Sequence, residues 1–307
     1  MNTPLIVSVP DSLARTALGE LPDTVEVVEW DMKGPAPVVS IDIVIPPYLQ
    51  SLEGLANLEG LDVGLVQSLS LGYDGVADVL PKNMTFANAA SVHETSTAEM
   101  ALALILASQR AIPDFVRAAQ QGNWAPTWRP SLADRTVLLV GYGGVGRAIE
   151  SRLLPFETTI VRLANHERSD ERGRIYGRDA LRELLPTSDV VVVAVPLDET
   201  TNHLVDAVFL SLMPDASLLV NVARGAVADT AALLSEARSG RIRLALDVTD
   251  PEPLPAAHPL FALENVLISP HVGGMTSAAL PRIARLVREQ IDLMLRGEEP
   301  RNVVLRT

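Results

Sequence analysis

Short apolar runs recur along the chain, separated by stretches of helical spacing or by turns rich in Gly, Pro and Asp. In the first third these runs fall at residues 5–9, 25–30, 41–45, 63–68 and 85–88, and each is predicted as a strand. They are apolar at consecutive positions, the pattern of parallel strands covered on both faces. Residues 94–110 are rich in Ala and Leu and apolar nearly all round, which predicts a buried helix at the passage between domains. A proline-punctuated loop carrying Trp124 and Trp128 comes next. Strands are then expected at 136–140, 159–163, 190–196, 217–222, 244–248 and 266–269, with helices between them. Residues 278–296 place Ile283, Leu286, Val287, Ile291 and Leu295 at helical spacing, and Gly297 stands where a helix stop prefers glycine. No solenoid-like repeat or low-complexity tract breaks the alternation, so the reading is α/β.

The run 136–140 leads directly into Gly141-x-Gly143-x-x-Gly146 and then into a helix expected at 147–154. Strand, glycine turn and helix in that order form a dinucleotide-binding signature, and each glycine has a mechanical task. Gly141 permits the tight turn, Gly143 lets a pyrophosphate approach the backbone, and Gly146 lets helix and strand pack closely. N–H groups at the helix start face the phosphates, where the helix dipole also favours negative charge. Glycines serve ordinary turns as well; the flanking strand and helix are what favour a cofactor here. Because the turn lies mid-chain, another folded unit is expected ahead of it.

At 307 residues and 48% hydrophobic, the chain suits about two domains and is too apolar to be disordered. Its longest apolar runs, such as 100–107, are too short to cross a bilayer. The N-terminus lacks the basic flank and apolar core of a signal peptide, so no membrane partner and a cytoplasmic location are expected. There are no cysteines, which excludes disulfides, thiolate catalysis and Cys-ligated metals. A net charge of −13 disfavours nucleic acid as a partner. The same acidity repels anionic substrates at long range, so any anion site must come from local cations and oriented N–H groups.

Three polar residues follow apolar strands, at the edge where α/β sheets bind ligands. Arg224 closes the segment Leu218-Leu-Val-Asn-Val-Ala-Arg-Gly225, and its planar fork matches a carboxylate. A loop-holding ion pair is the plainer alternative for it. His271, in Ser269-Pro-His-Val-Gly-Gly274, can move a proton near neutral pH, although a lone histidine beside a strand is often only structural. Glu252, in Asp247-Val-Thr-Asp-Pro-Glu-Pro-Leu-Pro255, lies between prolines that restrict the backbone, and a carboxylate beside an imidazole stabilises imidazolium. Asp250 reads as a surface turn. Jointly they suggest a carbonyl reduction: Arg224 holds an anionic substrate and polarises its carbonyl, a nicotinamide gives hydride, and His271, kept protonated by Glu252, gives the proton. No His/Asp/Glu cluster has metal-ligand spacing.

At these residues the chain resembles the D-isomer-specific 2-hydroxyacid dehydrogenases, over nearly its full length. The matching segments are the turn 141–146, Asn221-Val-Ala-Arg-Gly-Ala226, Asp247-Val-Thr-Asp-Pro-Glu-Pro-Leu-Pro255 and Ser269-Pro-His-Val-Gly-Gly-Met-Thr276. The spacings, 28 residues from Arg224 to Glu252 and 19 more to His271, fit the family's Arg, Glu and His. The resemblance implies a Rossmann nucleotide-binding domain (98–279) inserted into a flavodoxin-like substrate domain (1–97 and 280–307), both doubly wound parallel sheets, and a homodimer. It implies that Ser70, Leu71 and Gly72 hold the substrate carboxylate with Arg224. It places Thr97, Gly144, Val145, Pro196, Leu197, Val222, Ala223, Asp247, Gly273 and Gly274 around the cofactor, together with Gly141, Gly143, Gly146 and His271.

Two positions depart from the family pattern. Asp198 replaces the usual Thr/Ser after Pro-Leu. At the end of the second Rossmann strand, Ala164 occupies the place of the acidic residue that binds a ribose 2′-OH, with Arg162, Asn165, His166 and Arg168 nearby. Loss of a repelling carboxylate among cations favours NADP over NAD, while Glu167, a short register shift away, argues the other way. The expectation is a reductase for a small anionic 2-oxo acid such as glyoxylate or hydroxypyruvate. The alternatives are a dinucleotide-binding regulator of the corepressor type and a formate, phosphite or phosphoglycerate dehydrogenase on the same scaffold.

Overall fold

The computed structural model describes residues 4–48 and 52–307. They divide into two compact units, residues 1–93 with 276–307 and residues 94–275. Limits expected at 97 and 279 therefore compare with divisions after 93 and 275.

The first unit is built on β1 (Leu5–Val9), β2 (Val25–Glu29), β3 (Ser40–Val44), β4 (Asp62–Gln67) and β5 (Thr85–Ala87). They lie parallel in the order β2-β1-β3-β4-β5, the flavodoxin-like arrangement. A C-terminal strand, Val303–Arg306, adds antiparallel to β5 and was not anticipated from the sequence. Both faces are covered, which explains the consecutive apolar residues. On one side Val7, Ile43 and Leu65 pack with Leu18, Val287 and Ile291 of the helices Ser12–Leu18 and Ala279–Leu295. On the other, Ile41, Val63 and Val66 meet Leu55, Leu58 and Val76. The helix Ser12–Leu18 starts where the Asp11 side chain accepts from the Ala14 N–H at 2.7 Å. Helix Ala279–Leu295 ends as expected, with Gly297 beyond it at φ +66°.

The second unit carries β6 (Thr136–Val140), β7 (Thr159–Leu163), β8 (Arg168–Asp170), β9 (Gly173–Ile175), β10 (Val190–Val193), β11 (Leu218–Asn221), β12 (Arg243–Leu246) and β13 (Val266–Ile268). Six of them form a parallel sheet, β13-β12-β11-β10-β6-β7. Beyond β7 the third Rossmann strand is reduced to one bridge, Leu163 to Tyr176, at the foot of the antiparallel hairpin β8–β9. The order reverses between β6 and β10, so the crevice at their carboxyl ends is where such a sheet takes a ligand. The fold class expected from the sequence holds for both units.

Two expectations need correction. The helix after the glycine turn spans Gly144–Leu153, starting three residues before 147, because glycines that break exposed helices are tolerated where close packing and phosphate access require them. The helix Glu94–Gln109 is not buried all round: Ala98, Ala101, Leu104 and Ile105 face the core, whereas Glu99 and Ala103 are exposed. Its alanines make the exposed side look apolar in sequence without burying it.

Candidate active site

The glycine turn has the geometry a dinucleotide requires. Gly141 sits at φ +104°, and a Cβ there would lie 2.4 Å from the Ala194 carbonyl oxygen at the end of β10. A Cβ on Gly146 would come within 2.2 Å of the Gly141 oxygen, so helix and turn touch backbone to backbone. Gly143 faces open space, with nothing within 4 Å of a built Cβ. Among the described residues no side chain caps the helix at its N-cap Gly143, which leaves the first-turn N–H groups of Gly144 and Val145 to an anion. These residues fit a pyrophosphate. Thr97 lies in the first turn of helix Glu94–Gln109, which packs against this helix.

The proposed reaction groups follow three adjacent strands. Arg224 comes after β11, Glu252 after β12 and His271 after β13. His271 Nδ1 and Glu252 Oε1 are 2.5 Å apart, and each side chain is about two-fifths exposed, at 42% and 43%. Asp247, buried, organises the histidine loop. Its Oδ1 accepts from Ser269 Oγ at 2.5 Å and the Val272 N–H at 3.1 Å, and its Oδ2 accepts from the Gly273 N–H at 2.9 Å. Its carbonyl takes the His271 N–H at 2.7 Å. These bonds hold His271 at φ +53°, a left-handed conformation that a non-glycine residue adopts only when its surroundings impose it. Gly273 is required beside Asp247, since its Cβ would lie 2.8 Å from Oδ2.

Arg224 is half-buried, and its Nη1 donates to the Ala223 carbonyl at 2.7 Å. Asn221, buried at the end of β11, shapes this turn by accepting from the Ala223 N–H at 3.0 Å and donating to the Arg224 carbonyl at 3.1 Å. Val222 and Ala223 are buried within it. A Cβ on Gly225 would lie 1.9 Å from the Thr249 carbonyl oxygen, so the segment after Arg224 lies directly on the segment that leads to Glu252.

A cavity of about 320 Å³ opens beside the glycine turn. Gly141, Tyr142 and Gly143 line it with Ala164, Asn165, Arg168, Arg178 and Pro196. Arg162 is not among its lining residues. That guanidinium turns to Glu150, with Nη1 donating to the Arg172 carbonyl at 2.6 Å. Glu167 also lies outside the lining and pairs with Arg174 at 3.0 Å. His166 is exposed, its ring 3.5 Å from Asn165 Nδ2. Leu197 packs on the hydrophobic core. Asp198 is the one carboxylate in the lining among the described residues. Hydrogen bonds from the Thr200 hydroxyl and the Thr200 and Thr201 N–H groups occupy its Oδ1 and hold its carboxyl below its ordinary value. Arg178, whose Nη2 donates to the Thr200 carbonyl, was missed in the sequence. Its only signal is a cation beyond the second strand.

In the first unit, Ser70 and Gly72 line a cavity of about 150 Å³ after β4. The Ser70 N–H donates to Ser68 Oγ at 3.0 Å, and Asn88 Nδ2 donates to the Leu71 carbonyl at 2.8 Å. Gly274 closes the histidine loop of the second unit.

A family profile described as D-isomer specific 2-hydroxyacid dehydrogenase, NAD binding domain, matches residues 102–273. A glyoxylate reductase of Korarchaeum cryptofilum is 33% identical over 252 residues, 78% of this chain and 75% of that protein. The glyoxylate reductase/hydroxypyruvate reductase of Homo sapiens is 29% identical over 303 residues, 92% of each. Among solved structures, a D-isomer specific 2-hydroxyacid dehydrogenase from Xanthobacter autotrophicus Py2, in complex with NADPH and MES, superposes with a TM-score of 0.83 at 27% identity, covering 99% of this chain and 98% of that one. With a glycine cradle, an acid–imidazole pair and a matching profile over more than half its length, the chain belongs to the D-isomer specific 2-hydroxyacid dehydrogenase family and is an NAD(P)-dependent 2-hydroxyacid oxidoreductase.

Proposed function

We propose that this chain reduces a small 2-oxo acid of the glyoxylate or hydroxypyruvate kind, using NADPH, as a cytoplasmic homodimer. The observation that carries the reading is the His271–Glu252 pair, 2.5 Å apart, on the same sheet edge as the glycine cradle. The relatives named as glyoxylate reductases support the substrate class.

The roles follow from donor chemistry. When bound, the reduced nicotinamide supplies hydride to the carbonyl carbon. Arg224 grips the substrate carboxylate and draws charge toward the carbonyl oxygen. Glu252 engages Nδ1 of His271, which leaves Nε2 to deliver the proton that completes the alcohol. In the reverse direction the same nitrogen takes the hydroxyl proton. Asp247 holds the histidine loop and, by the family resemblance, matches the residue that meets the carboxamide.

NADPH is favoured over NADH by the second-strand end. Ala164 offers no carboxylate to repel a 2′-phosphate, Glu167 is engaged with Arg174, and Arg168 and Arg178 line the cavity. The one lining carboxylate, Asp198, is already satisfied by its own loop. The structural relative in complex with NADPH points the same way.

A second copy of the chain is the expected partner. Helix Ile112–Gln120 buries no side chain, yet Ile112, Phe115 and Val116 form an exposed apolar stripe. Trp124 and Trp128 follow, 94% and 99% exposed. Such a concentration of large apolar groups is characteristic of an interface. No helix among the described residues is long and apolar enough to cross a membrane. The relatives named as reductases favour turnover over a binding-only regulator. The test is consumption of NADPH or NADH with a panel of 2-oxo acids, formate and phosphite being assayed in the oxidative direction. Turnover of glyoxylate or hydroxypyruvate, lost in His271→Asn, is expected; tight cofactor binding with no turnover of any panel member would defeat the proposal.

A further inference from the structure

A charged cluster behind the glycine turn is left unused by the chemistry above. Glu150, in the middle of helix Gly144–Leu153, is fully buried. Its carboxylate accepts from Arg162, from the Tyr142 hydroxyl and from Arg172 Nη1, the last at 2.7 Å. Arg162 in turn donates to the Arg172 carbonyl at 2.6 Å. Arg172 is thus held at both its side chain and its backbone.

Arg172 lies in the turn of hairpin β8–β9, and the first residue of β8 is Arg168. A hairpin with strands this short has little stability of its own. Its far end is anchored by the fully buried Ile175, paired with Arg168, and by the Leu163–Tyr176 bridge. Its tip is anchored by Glu150. A second connection reaches Arg168 directly: its Nη2 donates to the Tyr142 carbonyl at 3.0 Å, while the hydroxyl of the same tyrosine binds Glu150. Tyr142 and Arg168 line the cavity beside the glycine turn; Glu150, Arg162 and Arg172 do not. A fully buried carboxylate with two guanidiniums is a costly way to fill this space, since apolar packing of similar volume is often at least as stable. Retention of charge here fits a need for directed hydrogen bonds.

We propose that Glu150, Arg162 and Arg172 act as a clamp that sets Arg168 against the 2′-phosphate of the cofactor, making Glu150 and Arg172 positioning residues for selection of a 2′-phosphorylated nucleotide. The proposal rests on the NADPH reading above. Arg168 makes the contact; the clamp removes the freedom of the hairpin that carries it. Arg162, which looks in sequence like a phosphate ligand, belongs to the clamp.

The test uses the intact protein and calorimetric binding of adenosine 2′,5′-bisphosphate and of 5′-AMP, which need no turnover. In wild type the bisphosphate should bind the tighter of the two. Arg168→Ala should weaken it about tenfold, the value of a charge-assisted hydrogen bond, and leave 5′-AMP unchanged. Arg172→Met and Glu150→Gln should show the same selective loss. The double variant Arg168→Ala/Arg172→Met should bind no more weakly than Arg168→Ala, because the clamp works through that residue. In turnover, Arg172→Met should raise KM for NADPH while kcat and KM for NADH hold. Should Glu150→Gln fail to fold, Arg172→Met, at a part-exposed side chain, carries the test alone. Loss in Arg168→Ala with no loss in Arg172→Met would overturn the clamp and leave the cofactor reading standing. Equal weakening of both nucleotides would reduce the cluster to a structural support. Equal affinity of wild type for the two nucleotides would remove the NADPH reading and the clamp together.

Discussion

His271 and Glu252, contributed by loops after neighbouring strands, meet with Nδ1 and Oε1 2.5 Å apart. With Nδ1 engaged, Nε2 is the ring nitrogen that the proposed reaction uses. His271→Asn should therefore lower kcat by about 10²- to 10⁴-fold, the usual value of a positioned acid–base group, while the protein stays folded. Glu252→Gln should keep a hydrogen bond to the ring and lose less. Steady-state rates with circular dichroism as a folding control check this; an unimpaired His271→Asn enzyme would remove the histidine from the reaction.

The proposed hold of Arg224 on a planar carboxylate can be separated from a simple need for positive charge. Arg224→Lys retains the charge and loses the fork, so it should fall short of wild type by about tenfold or more in kcat/KM for the 2-oxo acid. Near-complete rescue by lysine would show that the bidentate contact is unnecessary.

The glycines should divide into two classes. Gly225→Ala drives a methyl group to 1.9 Å from the Thr249 carbonyl oxygen, an overpacking that costs about 1–3 kcal/mol or more because backbone cannot step aside. Thermal unfolding should drop and activity vanish. Gly143→Ala points into open space, so stability should change by less than about 0.5 kcal/mol while dinucleotide affinity falls. A marked loss of stability in Gly143→Ala would contradict the open turn.

Glu150 should give folding a distinct acid dependence. Burial opposes its ionisation, but hydrogen bonds from Tyr142, Arg172 and Arg162 prevail and hold its carboxyl below the ordinary 4.5. A carboxyl depressed in the folded state contributes stability that is fully present above 4.5 and is lost as the pH falls through the folded value. Denaturant unfolding of wild type and Glu150→Gln should therefore show a gap at neutral pH that narrows below 4.5. A gap that widens on acidification would mean the group is not held ionised.

If the stripe on helix Ile112–Gln120 is covered by a second copy, Phe115→Glu should convert a dimer to a monomer in light scattering with little change in the fold. A wild-type protein that is monomeric at high concentration would dispose of the dimer.

The sheets were legible because burial on both faces leaves consecutive apolar residues, as in the fully buried Val190–Val193. Arg224, Glu252 and His271 stood out in the sequence because each polar group follows such a run, and the structure sets His271 2.5 Å from Glu252. The start of the cofactor helix was not, since Gly144 and Gly146 argue locally against helix and are explained only by contacts with Glu94 and Gly141. Glu150 was invisible for a different reason. Within a helix it reads as a solvated face, and the partners that bury it, Tyr142, Arg162 and Arg172, come from three other segments. The direction of Arg162 was hidden on the same ground: its position beside the cavity is local, whereas its guanidinium turns to Glu150, a carboxylate from another segment.

The single bridge between Leu163 and Tyr176 leaves most of the outer margin of β7 without a regular neighbour. A naked parallel edge invites strand addition by foreign chains. Here hairpin β8–β9 folds back at that margin, with Arg168, Arg172 and Arg174 crowding a short stretch that carries little apolar surface. Charge at such a margin disfavours strand addition, so lesions that loosen the hairpin should show up as turbidity on storage even where the reaction is untouched.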